Sequence, residues 1–203
     1  LANERWNVPI LWGNTSDEFI VSPEAGSMEE LRRMAADMFG EDADKFLALC
    51  RAETGDLEQA RKAASVSPIE YAIRIASRAN AETGAGTPLY YYVFDAEIPG
   101  WDNPGTFHSV DLWFFFETLA KCWRPFVGKH YDLARQMCNY WANFIRGGDP
   151  NGLDSTGDPL PRWEPYTEEA PYAMVFGDKP VFIREQPGEL MRFLVDQYFK
   201  QRK

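Results

Sequence analysis

Two unbroken apolar runs constrain this chain more than any other feature. They are Val8-Pro9-Ile10-Leu11-Trp12-Gly13 and Leu89-Tyr90-Tyr91-Tyr92-Val93-Phe94. Neither alternates polar with apolar residues, so each predicts a strand buried on both faces, as in the middle of a sheet. The second is aromatic and β-prone, and it follows a turn cluster, Gly84-Ala85-Gly86-Thr87-Pro88. Between the two runs the pattern changes to helical spacing. Met28, Leu31, Met34, Ala35 and Met38 mark a helix over Met28–Phe39, with Ser27 as N-cap, Glu30 three residues on and Gly40 at the stop. Further helices are predicted over Asp42–Ala52, Leu57–Ala64 and Pro68–Ala79, the last with proline in its first turn.

Beyond Phe94, a Gly-, Pro- and Asp-rich loop spans Pro99–Thr106. A short helix is predicted around Val110–Thr118 and a long amphipathic one over about His130–Ile145, stopped at Gly147-Gly148-Asp149-Pro150. A surface loop follows over Asn151–Pro161. Two short strands, Ala173–Phe176 and Val181–Arg184, flank Gly177-Asp178-Lys179-Pro180, and a closing helix covers Glu189–Gln201. Strand, helices, strand, helices implies an α/β architecture, helix-rich, with a helical insertion at about 24–80 between two core parallel strands and a small C-terminal two-strand element.

Composition removes some functions. With 21 Lys and Arg against 31 Asp and Glu, the net charge is −10, which repels a phosphate backbone and argues against a nucleic-acid partner. No apolar run reaches membrane-spanning length. Cys50, Cys122 and Cys138 show no metal-binding spacing and are odd in number, so they read as free thiols packed as small hydrophobes. With His108 and His130 the only histidines, no metal site is expected. The opening Leu1-Ala2-Asn3-Glu4-Arg5 resembles neither an initiator methionine nor a signal peptide. The chain reads as starting partway through a longer protein, after processing, or at an expression boundary.

Chemistry concentrates in two loops, each after the carboxyl end of a predicted core strand, where open α/β sheets gather their reactive groups. The first carries Asp17 and Glu18, the second His108. A carboxylate that accepts the Nδ1 proton of an imidazole fixes its tautomer and leaves Nε2 to act as a base. A serine hydroxyl needs such a base before it becomes a useful nucleophile. By residue type alone, an acid in a loop is usually solvated and a lone histidine usually a surface group or a cap.

Longer strings add to this. Gly105-Thr106-Phe107-His108-Ser109-Val110-Asp111, followed by Leu112-Trp113-Phe114-Phe115-Phe116, resembles the histidine block of type-B carboxylesterases and cholinesterases. Asn139-Tyr140-Trp141-Ala142-Asn143-Phe144 with Gly148-Asp149-Pro150-Asn151 resembles the family's "YWxNFxxxGDPN" block, the most specific of the matches. Pro161-Arg162-Trp163-Glu164-Pro165-Tyr166 is similar to its "lpxWPxY" stretch, and Pro9–Gly13 through Ser16-Asp17-Glu18 to its strand and "GxxxDEG" acid loop. The four blocks keep the family's order over nearly the whole chain.

The resemblance implies the C-terminal part of an α/β-hydrolase, with Glu18 as triad acid and His108 as general base. Asp17 remains a loop-capping carboxylate, and His130 a structural or solvated residue. Phe107, Trp113 or Phe114 would wall the substrate pocket, although aromatic residues around the histidine block, Trp101, Phe115 and Trp123 included, more often pack in cores. Met28, Met34 and Met38 are expected as core contacts, within helices that would cover the gorge mouth. Phe19 stands where the family usually has Gly, and Ser67 where cholinesterase relatives often have Cys. No Gly-x-Ser-x-Gly elbow and no Gly-rich oxyanion loop occur. The implied partners are a small-molecule ester and the N-terminal part of the same protein, with a possible homodimer through an exposed sheet edge. No cofactor is implied. The alternative is a non-catalytic cholinesterase-like interaction domain.

Overall fold

A computed structural model describes residues 7–82, 86–167, 170–184 and 187–202. The chain divides into two compact units, one of residues 1–18 with 76–185 and one of 19–75 with 186–203. Helix α4 (Pro68–Glu82) begins in the second and ends in the first.

The first unit is built on a four-stranded sheet in the order β1-β2-β3-β4. Strand β1 (Ile10–Thr15) and β2 (Leu89–Phe94) pair in parallel, from Ile10 opposite Leu89 to Thr15 opposite Phe94. Strand β3 (Tyr172–Phe176) adds to β2 in parallel, and β4 (Pro180–Arg184) closes the sheet antiparallel to β3. The C-terminal strand pair is thus an extension of the core sheet. The sheet packs on α5 (Leu112–Phe115) and the twenty-residue α6 (Gly128–Gly147), whose buried face carries Leu133, Ala134, Met137 and Tyr140.

Strand β1 starts two residues later than its apolar run and continues two residues past its end, through polar Asn14 and Thr15. Asn14 and Thr15 are buried. The Tyr91 hydroxyl donates to Asn14 Oδ1 at 2.6 Å, which satisfies the buried Asn14 oxygen, and the Thr15 N–H donates to Glu18 Oε1 at 3.1 Å.

The second unit is helical. In α1 (Met28–Phe39) the Ser27 hydroxyl accepts the Glu30 N–H at 3.1 Å, and Gly40, at φ 54°, ends the helix. Leu31, Ala35 and Phe39 bury one stripe, with Met28 and Met34 partly covered beside it. Met38 is 55% exposed, contrary to its expected place in the core, because Phe39 takes the inward position at that turn. Phe39 meets Phe46 of α2 (Ala43–Leu49) and Phe193 of α7 (Glu189–Lys200), with ring centroids 4.7 and 5.2 Å away. Helix α3 (Leu57–Ala63) adds Ala60 to this core. Ser67 caps α4, its hydroxyl accepting the Glu70 N–H at 3.2 Å. Cys50 is buried among these helices, which pushes its thiol up to about 11, and all three cysteines are free. Among the described residues no helix is long and apolar enough to cross a membrane.

Candidate active site

The parallel pairing of β1 with β2 brings two loops together. Glu18 lies three residues beyond the end of β1, and His108 follows β2 through the Pro99–Thr106 loop. Their side chains meet: His108 Nδ1 lies 2.7 Å from Glu18 Oε2. A carboxylate oxygen only accepts, so the Nδ1–H donates. The Glu18 side chain is 6% exposed and that of His108 41%. The acid is therefore held inside, with the Thr15 N–H on its other oxygen, while the imidazole reaches the surface. Phe19 leaves the acid in place: it is 61% exposed and has no positive φ.

Behind the pair is a second layer of bonds. Asp17 and Phe107 form an isolated parallel bridge that continues the β1–β2 pairing into the loops. The Thr106 N–H donates to Asp17 Oδ2 at 2.8 Å, and the Asp17 N–H donates to Thr106 Oγ1 at 3.1 Å. Ser16 Oγ donates to Asp95 Oδ1 at 2.6 Å and also meets Thr106 Oγ1. Gly105 sits at φ +64°, which favours glycine, and a Cβ there would stand 2.4 Å from Asp17 Oδ2, so any larger residue would have to displace that carboxylate. Asp17 is thus a capping carboxylate, as expected. Thr106 was not anticipated, since a lone threonine carries no catalytic signature in sequence.

After His108 the chain turns sharply at Ser109, at φ 69°, and enters α5. Asp111, just before that helix, is buried, and the Tyr92 hydroxyl donates to its Oδ2 at 2.9 Å. Burial raises the Asp111 carboxyl above the usual range, and the charge of Glu18 adds to the rise. Burial likewise raises the Tyr92 hydroxyl.

The aromatic residues divide. Phe114 is 0% exposed, its ring 4.9 Å from Phe94 and 5.8 Å from Phe126, so it fills the core and is corrected from a pocket wall to a packing residue. Phe107 and Trp113 are partly buried and meet edge to face at 5.8 Å. Trp101 and Trp123, expected in the core, are 89% and 63% exposed. They sit beside each other at 6.5 Å, with Arg124 4.7 Å from the Trp123 ring. His130 is structural: its Nδ1 accepts the Val127 N–H at 2.9 Å, and its Nε2–H donates to the Glu97 carbonyl at 3.2 Å. Among the described residues no three His, Cys, Asp or Glu side chains gather to hold a metal ion.

The Carboxylesterase family profile matches residues 22–191. Acetylcholinesterase of Gallus gallus is 34% identical over 87 residues, 40% of this chain and 11% of that protein. Cocaine esterase of Homo sapiens is 32% identical over 92 residues, 42% of this chain and 15% of that protein. The solved structure of an esterase from Clostridium hathewayi superposes with a TM-score of 0.56 at 22% identity, over 95% of this chain and 37% of that one, which shows the α/β-hydrolase fold. The chain spans well under half the length of each of these proteins. By the extent of the family match, this chain belongs to the carboxylesterase family.

Proposed function

We propose that the chain is the C-terminal part of a serine carboxylic-ester hydrolase, with Glu18 and His108 as the acid and base of its triad. The nucleophilic serine and the oxyanion loop belong to an N-terminal part of the same protein. Residues 1–203 then form one piece of the hydrolase domain, with a helical insertion at about 24–80. The observation that carries this reading is the 2.7 Å contact between a buried carboxylate and a surface-reaching imidazole at the ends of adjacent parallel strands.

The chemistry follows from that contact. Glu18 accepts the Nδ1 proton and sets the tautomer, so Nε2 is the nitrogen that takes the serine proton as the hydroxyl attacks the ester carbonyl. The imidazolium, stabilised by Glu18, returns the proton to the leaving alcohol, and an acyl-serine remains. Water, deprotonated by the same Nε2, attacks the acyl carbonyl and releases the acid and the serine. No step calls on a metal or an organic cofactor. Phe107, next to the base, and Trp113 behind it wall part of the pocket for a small ester. A non-catalytic interaction role gives no reason to close the Glu18–His108 bond.

The test is hydrolysis of a chromogenic short-chain ester by the full-length protein. His108→Ala should reduce kcat by about 10³-fold or more, and equal rates in wild type and variant would remove the enzyme reading. The chain of residues 1–203 alone should neither turn over esters nor be labelled by a fluorophosphonate. Among the described residues strand β1 is an edge strand, and we assign that edge to strands of the N-terminal part. Alone, the chain should pair there with a second copy, giving a concentration-dependent dimer on a sizing column.

A further inference from the structure

We propose that Thr106 and Asp17 form a clasp that holds the acid loop against the base loop and so sets the Glu18–His108 contact. The inference rests on the reading of those two residues as triad members and adds two positioning residues to it.

Asp17 immediately precedes the acid, and Thr106 lies two residues before the base. Three bonds join them. The Asp17 N–H donates to Thr106 Oγ1, the Thr106 N–H donates to Asp17 Oδ2, and the Thr106 hydroxyl is 3.2 Å from that same oxygen. A hydroxyl has one proton and two lone pairs, so Thr106 can accept from Asp17 while donating to Asp17 or Ser16. Ser16 passes the link to Asp95, the first residue after β2. The clasp therefore spans from the end of β1 to both ends of the loop that carries His108. Thr106 is 5% exposed, which shields its bonds from water, and Gly105 gives the Asp17 carboxylate room to approach. Glu18 and His108 need this help. One is a long, flexible side chain and the other half-exposed, and catalytic geometry tolerates only about 0.5 Å of error.

The clasp is read on this chain by proton NMR, through the downfield Nδ1–H resonance of the His108–Glu18 hydrogen bond. The sequence holds two histidines, so His130→Gln assigns the signal. Thr106→Val keeps the side-chain shape and removes the hydroxyl. It should broaden or abolish the resonance, and Thr106→Ser should restore it. In the full-length protein Thr106→Val should lower kcat by about 10- to 100-fold, on the scale of a misplacement approaching 1 Å, with KM unchanged and activity rescued by Thr106→Ser. If Thr106→Val does not fold, Asp17→Ala at the surface should give the same loss of resonance. An unchanged resonance in the folded variant overturns the clasp. A clasp that holds by NMR while His108→Ala keeps full activity overturns the triad reading and leaves the geometry standing.

Discussion

The corner formed by Asn151 and Trp163 and the loops carrying Glu18 and His108 are both assembled from residues that were conspicuous in sequence, yet they end in opposite states. At the corner, the Asn151 Nδ2–H donates to the Trp163 carbonyl at 2.8 Å, and the Trp163 N–H donates back to Asn151 Oδ1 at 2.7 Å. The Trp163 ring is 0% exposed, edge to face with Tyr90, Tyr140 and Phe176, and the Tyr140 hydroxyl donates to the Pro161 carbonyl. These contacts close α6 and its following loop against the sheet. At the loops, one partner of the central pair is left near water. The most family-specific string thus encodes a packing corner, while the proposed acid and base sit in less distinctive strings that leave an imidazole accessible. Similarity in such strings reports the fold before it reports the chemistry.

Variants separate the two regions. Trp163→Ala should remove about 3–5 kcal/mol of stability, the usual loss for a fully buried large aromatic, seen as a lower urea midpoint. His108→Ala should cost less, about 1–3 kcal/mol, because the buried Glu18 carboxylate loses the imidazole but keeps the Thr15 N–H. The contrast fails if the histidine proves the more stabilising of the two. Asn151→Ala should cost about 2 kcal/mol, since two reciprocal bonds are lost and a buried N–H and carbonyl lose their partner. On the loop side, Gly105→Ala should cost about 1–2 kcal/mol for its left-handed backbone, and more if Asp17 cannot withdraw. It should also weaken the His108 hydrogen bond in the NMR spectrum, which Asn151→Ala should not.

What was legible in sequence follows the same division. Leu89–Phe94 was read with its true ends because an apolar, β-prone run bounded by a turn has no competing assignment. Ser27, Glu30 and Gly40 placed α1 because caps act locally. Glu18 and His108 were legible by resemblance and by their position after core strands, and the structure brings them within hydrogen-bond reach. Asn14 and Thr15 were missed as strand because the apolar run ends at Gly13, while what extends the strand, pairing with Val93 and Phe94 and the Tyr91 bond to Asn14, lies far off in sequence. Phe114 looked like Phe107 in sequence, and only packing tells the core ring from the half-buried one. Thr106 was invisible because its role depends on where Asp17 lands.

Two buried titratable groups allow a finer comparison through pH. Burial lowers His130 below its ordinary 6.5, against the opposing pull of its hydrogen bond to the Glu97 carbonyl. The unfolded chain therefore takes a proton there first as pH falls. Stability from this group is present above 6.5 and is lost as pH drops from there toward the folded value. His130→Gln should flatten that part of the urea-midpoint profile.

Asp111, beside the candidate site, carries the opposite slope. Burial raises it above its ordinary 3.8, the Glu18 charge raises it further, and the Tyr92 hydroxyl only partly offsets both. From 3.8 upward the unfolded chain releases this proton before the folded one does, so stability falls as pH rises through the window up to the folded value. At neutral pH the whole penalty remains. Asp111→Asn keeps an oxygen for the Tyr92 hydroxyl and removes the charge. It should therefore raise the urea midpoint at pH 7 by a small amount that shrinks as pH falls toward 3.8. A gain that is the same at both pH values would place the effect in packing rather than charge, and the residue below His108 would then belong with the Trp163 corner rather than with the site.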